Sequence, residues 1–208
     1  MFKFDTKIIC PGDPTATPER VEQYKKYYKV KYDILKDNCP DAKVIGEIGV
    51  RAGYSAWVFL QACPEAMYCG FDANNGTHGG QGGENGKFAE WASKILEDYD
   101  VKLTQVDTQK LAHLPLPHPT KPFDFLHVDG DHTIEGVKHD LDICFEALND
   151  DNENAFILID DYTYIQTVKI GVDEWLKKNQ NTVKHEFIPS LRGEILIKRK
   201  KLNKGEKY

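Results

Sequence analysis

From residue 44 onward, short apolar runs alternate with amphipathic stretches. The runs Val44–Val50, Met67–Asp72, Val101–Asp107, Phe123–Asp129 and Ala155–Asp160 predict strands. Between them, Ser55–Cys63, Lys87–Tyr99, Ile134–Leu148 and Val168–Lys178 predict helices. Alternation of this kind predicts an α/β fold with a doubly wound, mostly parallel sheet. Two more runs, Lys184–Ile188 and Glu194–Arg199, are joined by Pro189–Gly193 and predict an antiparallel C-terminal hairpin, which brings the sheet to seven strands.

Ahead of the sheet, Pro11, Gly12, Asp13 and Pro14 mark a turn-rich entry, and a polar, tyrosine-rich helix is expected from Glu19 to Lys36 as an appendage. The organisation expected is an N-terminal extension and helix over residues 1–40, one domain over 41–200 and a basic tail over 201–208. The stretch Asn74–Gly86, rich in glycine and polar residues, cannot bury enough surface for a regular element and predicts a loop, either a flexible tip or an active-site lid.

Composition narrows the class of protein. With 208 residues, 40% of them hydrophobic, the chain suits a single core. A net charge of -6 argues against nucleic acid as the main partner, and the basic cluster Lys198–Lys201 with Lys204 reads as a solvated tail. Five cysteines form no CxxC pair, which predicts free thiols in a reducing compartment. No stretch approaches a membrane span or the apolar segment of a signal peptide, so the expectation is a cytoplasmic protein with no membrane partner.

Candidate chemistry gathers where the strands end. Asp129, Asp160 and Asp161 each follow an apolar run, at the end of the sheet where open α/β folds bind ligands, and His132 lies close by. Carboxylates converging there predict a metal-assisted site, because adjacent acids repel unless a cation compensates. Asp131 is assigned to capping the following helix. His127, alternating with apolar neighbours, reads as a core or cofactor-side residue rather than a ligand. Upstream, the glycines of Glu47-Ile-Gly49-Val-Arg-Ala-Gly53-Tyr54-Ser55 would let the backbone turn close to a ligand before Ser55 caps a helix. The spacing departs from the dinucleotide fingerprint and disfavours a nicotinamide-dependent dehydrogenase, while Glu47 suits a cationic ligand. Asp72 and Asp107 end the next two strands, where they suit ribose hydroxyls and an adenine amino group.

Taken together, these residues resemble class I S-adenosylmethionine-dependent methyltransferases, with Glu47–Gly53 as the first motif and Asp72 as the ribose-binding acid. Val128-Asp129-Gly-Asp-His132 with Leu158-Ile-Asp160-Asp161 is similar to the macrocin and rhamnosyl O-methyltransferase branch. The resemblance implies a Rossmann-like sheet and a cofactor site of Glu47, Gly49, Gly53, Tyr54, Ser55, Asp72 and Asp107. It also implies a Mg²⁺ ion on Asp129, Asp160 and Asp161, His132 as general base, and a hydroxyl acceptor on a sugar, in a glycan or a glycosylated small molecule. Oxygen ligands suit Mg²⁺, and a metal-bound hydroxyl loses its proton more readily. A small aromatic diol as acceptor, and a non-catalytic cofactor-binding protein of the same fold, are the alternatives. A homo-oligomer is left open.

Overall fold

The computed structural model describes residues 2–74, 86–116 and 122–201. Seven strands, β1 (Val44–Ile48), β2 (Met67–Asp72), β3 (Val101–Gln105), β4 (Phe125–Val128), β5 (Phe156–Ile159), β6 (Val183–Ile188) and β7 (Glu194–Arg199), form one sheet in the order β3-β2-β1-β4-β5-β7-β6. The first five pair in parallel, and β7 runs antiparallel to both β5 and β6. This is the doubly wound, mostly parallel α/β sheet with a C-terminal hairpin that the pattern predicts.

Burial explains the order. All residues of β1, β4 and β5 are buried, as strands covered on both faces must be, whereas β3 and β6 lie at the edges and are largely open to solvent. Helices α4 (Ile134–Ala147) and α5 (Gln166–Lys178) cover one face through Val137, Leu141, Val172 and Trp175. Helices α1 (Pro18–Asn38) and α2 (Tyr54–Ala62) cover the other through Leu35, Phe59 and Leu60, with α3 (Lys87–Ile95) adding Ile95 at the margin of this cluster. The entry segment adds an aromatic cluster in which Phe4 stacks on Tyr28 at 5.0 Å.

Strands end earlier than the apolar runs suggest. β1 stops at Ile48 because Gly49 takes φ +86, and β4 and β5 stop at Val128 and Ile159, leaving Asp129, Asp160 and Asp161 in the loops beyond. Helix α1 is more than an appendage. Thr17 caps it, with Pro18 at its first position, and its stripe Tyr24, Tyr27, Tyr28, Lys31, Ile34 and Leu35 is buried against the domain. Residues 75–85 of the glycine-rich stretch, with His78 in it, lie outside the described residues, as do His118 and Lys204. All five cysteines are buried and free, and no described helix is long and apolar enough to cross a membrane.

Candidate active site

A cavity of about 330 Å³ opens at the carboxyl ends of the parallel strands. One end is walled by Gly49–Ala52, Asp72, Val106 and Thr108, and the other by Asp129, His132, Asp160, Asp161, Tyr27, Lys31 and Arg192. The three described non-glycine residues with left-handed backbone, Arg51 (φ 49), Asn74 (φ 53) and Asp161 (φ 60), all line it. Such strain persists where surrounding structure over-determines it, as ligand sites do.

At the acidic end, His132 Nε2 lies 3.2 Å from Asp129 Oδ1 and 3.7 Å from Asp161 Oδ2. Ligand atoms of Asp129, His132 and Asp161 all fall within 4.8 Å of one another. Burial acts to lower the His132 pKa, but the hydrogen bond and charge of Asp129, with Asp161 and Asp160 behind it, hold it above the usual imidazole value. For Asp161 the balance goes the other way. Burial, then repulsion from Asp129 and Asp160, pushes its carboxyl up to about 7 against the opposing pull of Arg192 and His132.

Asp160 departs from the expected metal set. It is buried, Tyr27 OH and Lys31 Nζ (2.7 Å) both donate to Oδ2, and the Asp161 N–H donates to Oδ1 at 2.8 Å. Burial would raise its pKa, but Lys31 first, with Arg192 behind it, holds it well below the carboxylate range. Arg192, from the β6–β7 loop, reaches both oxygens of Asp161 at 3.0 and 3.3 Å. A Mg²⁺ ion on three free carboxylates therefore does not fit these residues. Asp160 and Asp161 each already carry a cationic partner, and the ligand atoms that converge are those of Asp129, His132 and Asp161, in which an imidazole replaces one carboxylate, a donor set less suited to Mg²⁺.

Behind the cavity floor runs a buried polar layer. Lys31 also donates to His127 Nε2 at 2.6 Å, and His127, protonated on Nδ1, donates to Glu47 Oε1 at 2.7 Å. Glu47 accepts further from Ser55 Oγ and Tyr68 OH. Glu47 and His127 follow Ile45 and Phe125 by two residues, so they face α1 and α2 rather than the ligand space. Glu47 is thus corrected from a cofactor contact to a buried anchor. Ser55 lines the cavity but is no helix cap. Gly53 (φ +78) is the cap residue, packing its α-carbon near Ala92.

The other expected residues divide similarly. Gly49 lines the cavity, and its missing side chain is needed by the protein itself, since a Cβ there would lie 1.9 Å from the Asp129 carbonyl oxygen. Asp72 lines the cavity, accepting from the N–H of Arg51 (2.7 Å) and Asn74 (2.6 Å). Asp107 instead accepts from the Gln109 N–H in a 3₁₀ turn, while Val106 and Thr108 on either side face the cavity. Thr133, not Asp131, caps α4. Asp131 accepts from the Thr133 N–H just ahead of it. Tyr54 OH accepts from the Cys10 N–H and donates to Asp13, whose carboxylate also takes both Nη atoms of Arg51 at 2.7 and 2.8 Å.

Lys31, Tyr27, Arg192 and the Asp13–Arg51 pair were not singled out by sequence. One signal was available. Tyr24, Tyr27, Tyr28 and Lys31 fall at helical spacing in one stripe, which places a lysine on a face that otherwise buries aromatics.

The sequence profile of the methyltransferase domain matches residues 47–162, more than half of the chain. Among solved structures, the SAH-bound Podospora anserina methyltransferase PaMTH1 superposes with TM-score 0.65 at 16% identity, over 96% of this chain and 90% of that one. The Bacillus cereus O-methyltransferase in complex with SAH gives 0.62 at 15%, over 92% and 84%. The Streptomyces achromogenes O-methyltransferase TomG, involved in tomaymycin synthesis and bound to SAM, gives 0.61 at 16%, over 91% and 82%. No curated protein sequence matches. At these identities the structures establish the fold, and the profile match over β1 to the loop after β5 establishes the family: the chain belongs to the methyltransferase-domain family.

Proposed function

We propose that this methyltransferase uses S-adenosylmethionine to methylate a hydroxyl group, with His132 as the proton acceptor. The observation that carries the reading is the convergence of His132, Asp129 and Asp161 at one end of a cavity whose other end is the glycine turn and Asp72. The cavity is of ligand size, and its surplus of carboxylates matches a sulfonium cation. Asp72 suits the ribose hydroxyls, and Val106 and Thr108 flank the space left for the base. When bound, S-adenosylmethionine supplies the electrophilic methyl group.

An alcohol is a weak nucleophile until its proton leaves. His132 takes that proton on Nδ1 as the oxygen attacks, and Asp129, accepting from Nε2–H at 3.2 Å, orients the ring and stabilises the imidazolium that results. Asp160, fixed by Lys31 and Tyr27, sets the position of Asp161 through the backbone. Holding the acceptor oxygen in line with the methyl carbon supplies much of the remaining acceleration. For the acceptor we favour a sugar hydroxyl. The motifs Val128–His132 and Leu158–Asp161 support this through their resemblance to sugar O-methyltransferases, and Tyr27, Tyr28 and Tyr164 along the cavity suit the apolar face of a sugar ring.

The same cluster supports a second reading, in which Asp129, His132 and Asp161 together hold a divalent ion, Mg²⁺ among them, and activate the hydroxyl directly. Calorimetric titration with S-adenosylmethionine, followed by methyl-transfer assays on sugars and aromatic diols with and without chelator, tests both. Cofactor binding with chelator-insensitive turnover supports the first reading, and turnover lost to chelator supports the second. No cofactor binding overturns both.

A further inference from the structure

We propose that Lys31 and Arg192 are built-in counter-cations for the Asp160–Asp161 pair, occupying electrostatically the place a divalent ion would take, so that methyl transfer runs without one. The inference rests on the hydroxyl-methylating reading above and deepens it.

The Lys31 side chain is 1% exposed, and α1 carries it into the strand-end layer from 129 residues away. A buried ammonium is tolerated only with matched partners, and this one has Asp160 at 2.7 Å, His127 Nε2 at 2.6 Å and the Tyr27 ring at 4.8 Å. Its partner is equally committed. Tyr27, Lys31 and the Asp161 N–H occupy both oxygens of Asp160. On the other side, Nη1 of Arg192 donates to both oxygens of Asp161, and the guanidinium sits over the Tyr27 ring at 5.4 Å.

A divalent ion bridging the acidic pair would therefore lie beside an ammonium and a guanidinium and compete with both. The remaining carboxylates have other work. Asp129 faces His132, and Glu47 faces His127. Without an ion on its ring, His132 donates from Nε2 to Asp129 and keeps Nδ1 for the acceptor's proton.

The test is binding of Mn²⁺ alone, followed by electron paramagnetic resonance, in the wild-type protein and in Lys31→Met and Arg192→Gln. The wild type is expected to leave Mn²⁺ free. Lys31→Met, by releasing Asp160, is expected to bind one equivalent. Should that variant fail to fold, Arg192→Gln carries the same test through Asp161. One equivalent of Mn²⁺ bound by the wild type and lost in Asp129→Asn overturns the proposal. So does a variant that folds and still binds none, since Lys31 and Arg192 would then not be what keeps the ion out. Titration of the wild type with S-adenosylmethionine separates the two ideas: failure there sinks the functional reading while the Mn²⁺ result still reads the role of Lys31.

Discussion

Gly49 and His132 show how single residues set this site. Gly49 has φ +86, and any Cβ would collide with the backbone of Asp129. Gly49→Ala should therefore cost about 1–3 kcal/mol for the backbone conformation alone, and push the Asp129–His132 turn out of register as well. A lowered midpoint in thermal unfolding together with reduced turnover is expected; an unchanged midpoint would show that the turn relaxes freely. His132 acts only on the reacting proton. His132→Asn should lower kcat by about 10²–10⁴-fold and leave S-adenosylmethionine affinity unchanged in calorimetry. Full activity in that variant would move the base elsewhere.

Elements bring these residues together, and here the sequence was uneven. Strands and helices from β1 to β7 were legible because fully buried parallel strands read as unbroken apolar runs and the edge hairpin carries its own turn. That Asp129, His132 and Asp161 line one cavity was legible because the loops after parallel strands gather at one end of the sheet. Lys31 and Arg192 were not, because their partners lie 129 and 31 positions away and no local pattern encodes such a contact. Glu47 was misjudged because a turn motif does not reveal which face of β1 its acid occupies. Helix α4 carries a comparable hidden group. Asp140, buried in it, accepts from Thr108 Oγ1, Gln109 Nε2 and the Asp131 N–H, tying the 3₁₀ turn and the Asp129–His132 turn to one carboxylate. Burial, only partly offset by these bonds, pushes Asp140 up to about 6. A carboxyl raised on folding binds its proton more tightly in the folded state, so stability falls as pH rises from about 4 to 6, by roughly 3 kcal/mol for a shift of about two units. Asp140→Asn should make the decline between pH 4.5 and 6.5 in denaturant titrations shallower, and an equally steep decline in the variant would acquit Asp140.

For the whole molecule, the perturbed groups divide into two sets with separate pH windows. Asp13, clasped by Arg51, Thr15 and Tyr54 against the opposing effect of burial, is lowered to about 2, and Asp160 is lowered too. Their stabilisation is present above about pH 4 and lost as pH falls through their folded values. Asp140 and Asp161, raised by burial to about 6 and 7, act in the other direction, and stability declines as they ionise between about pH 4 and 7. His132, with its folded pKa raised despite burial, adds to the same decline, because the stabilisation of its imidazolium is lost as pH rises through that value. Asp140, Asp161 and His132 lie at or behind the cavity, and Glu194, also raised by burial, acts in the same direction, while most surface carboxylates contribute little. The thermal midpoint should therefore peak in mildly acid solution, near pH 4 to 5, and fall towards pH 7.5. At pH 7.5 the cavity holds its greatest negative charge, so a cationic ligand should raise the midpoint more there than at pH 5. Differential scanning calorimetry at the two pH values, with and without S-adenosylmethionine, reads both effects. A midpoint higher at pH 7.5 in the free protein would mean that the acidic end carries no surplus charge, and the electrostatic case for a sulfonium ligand would fall with it.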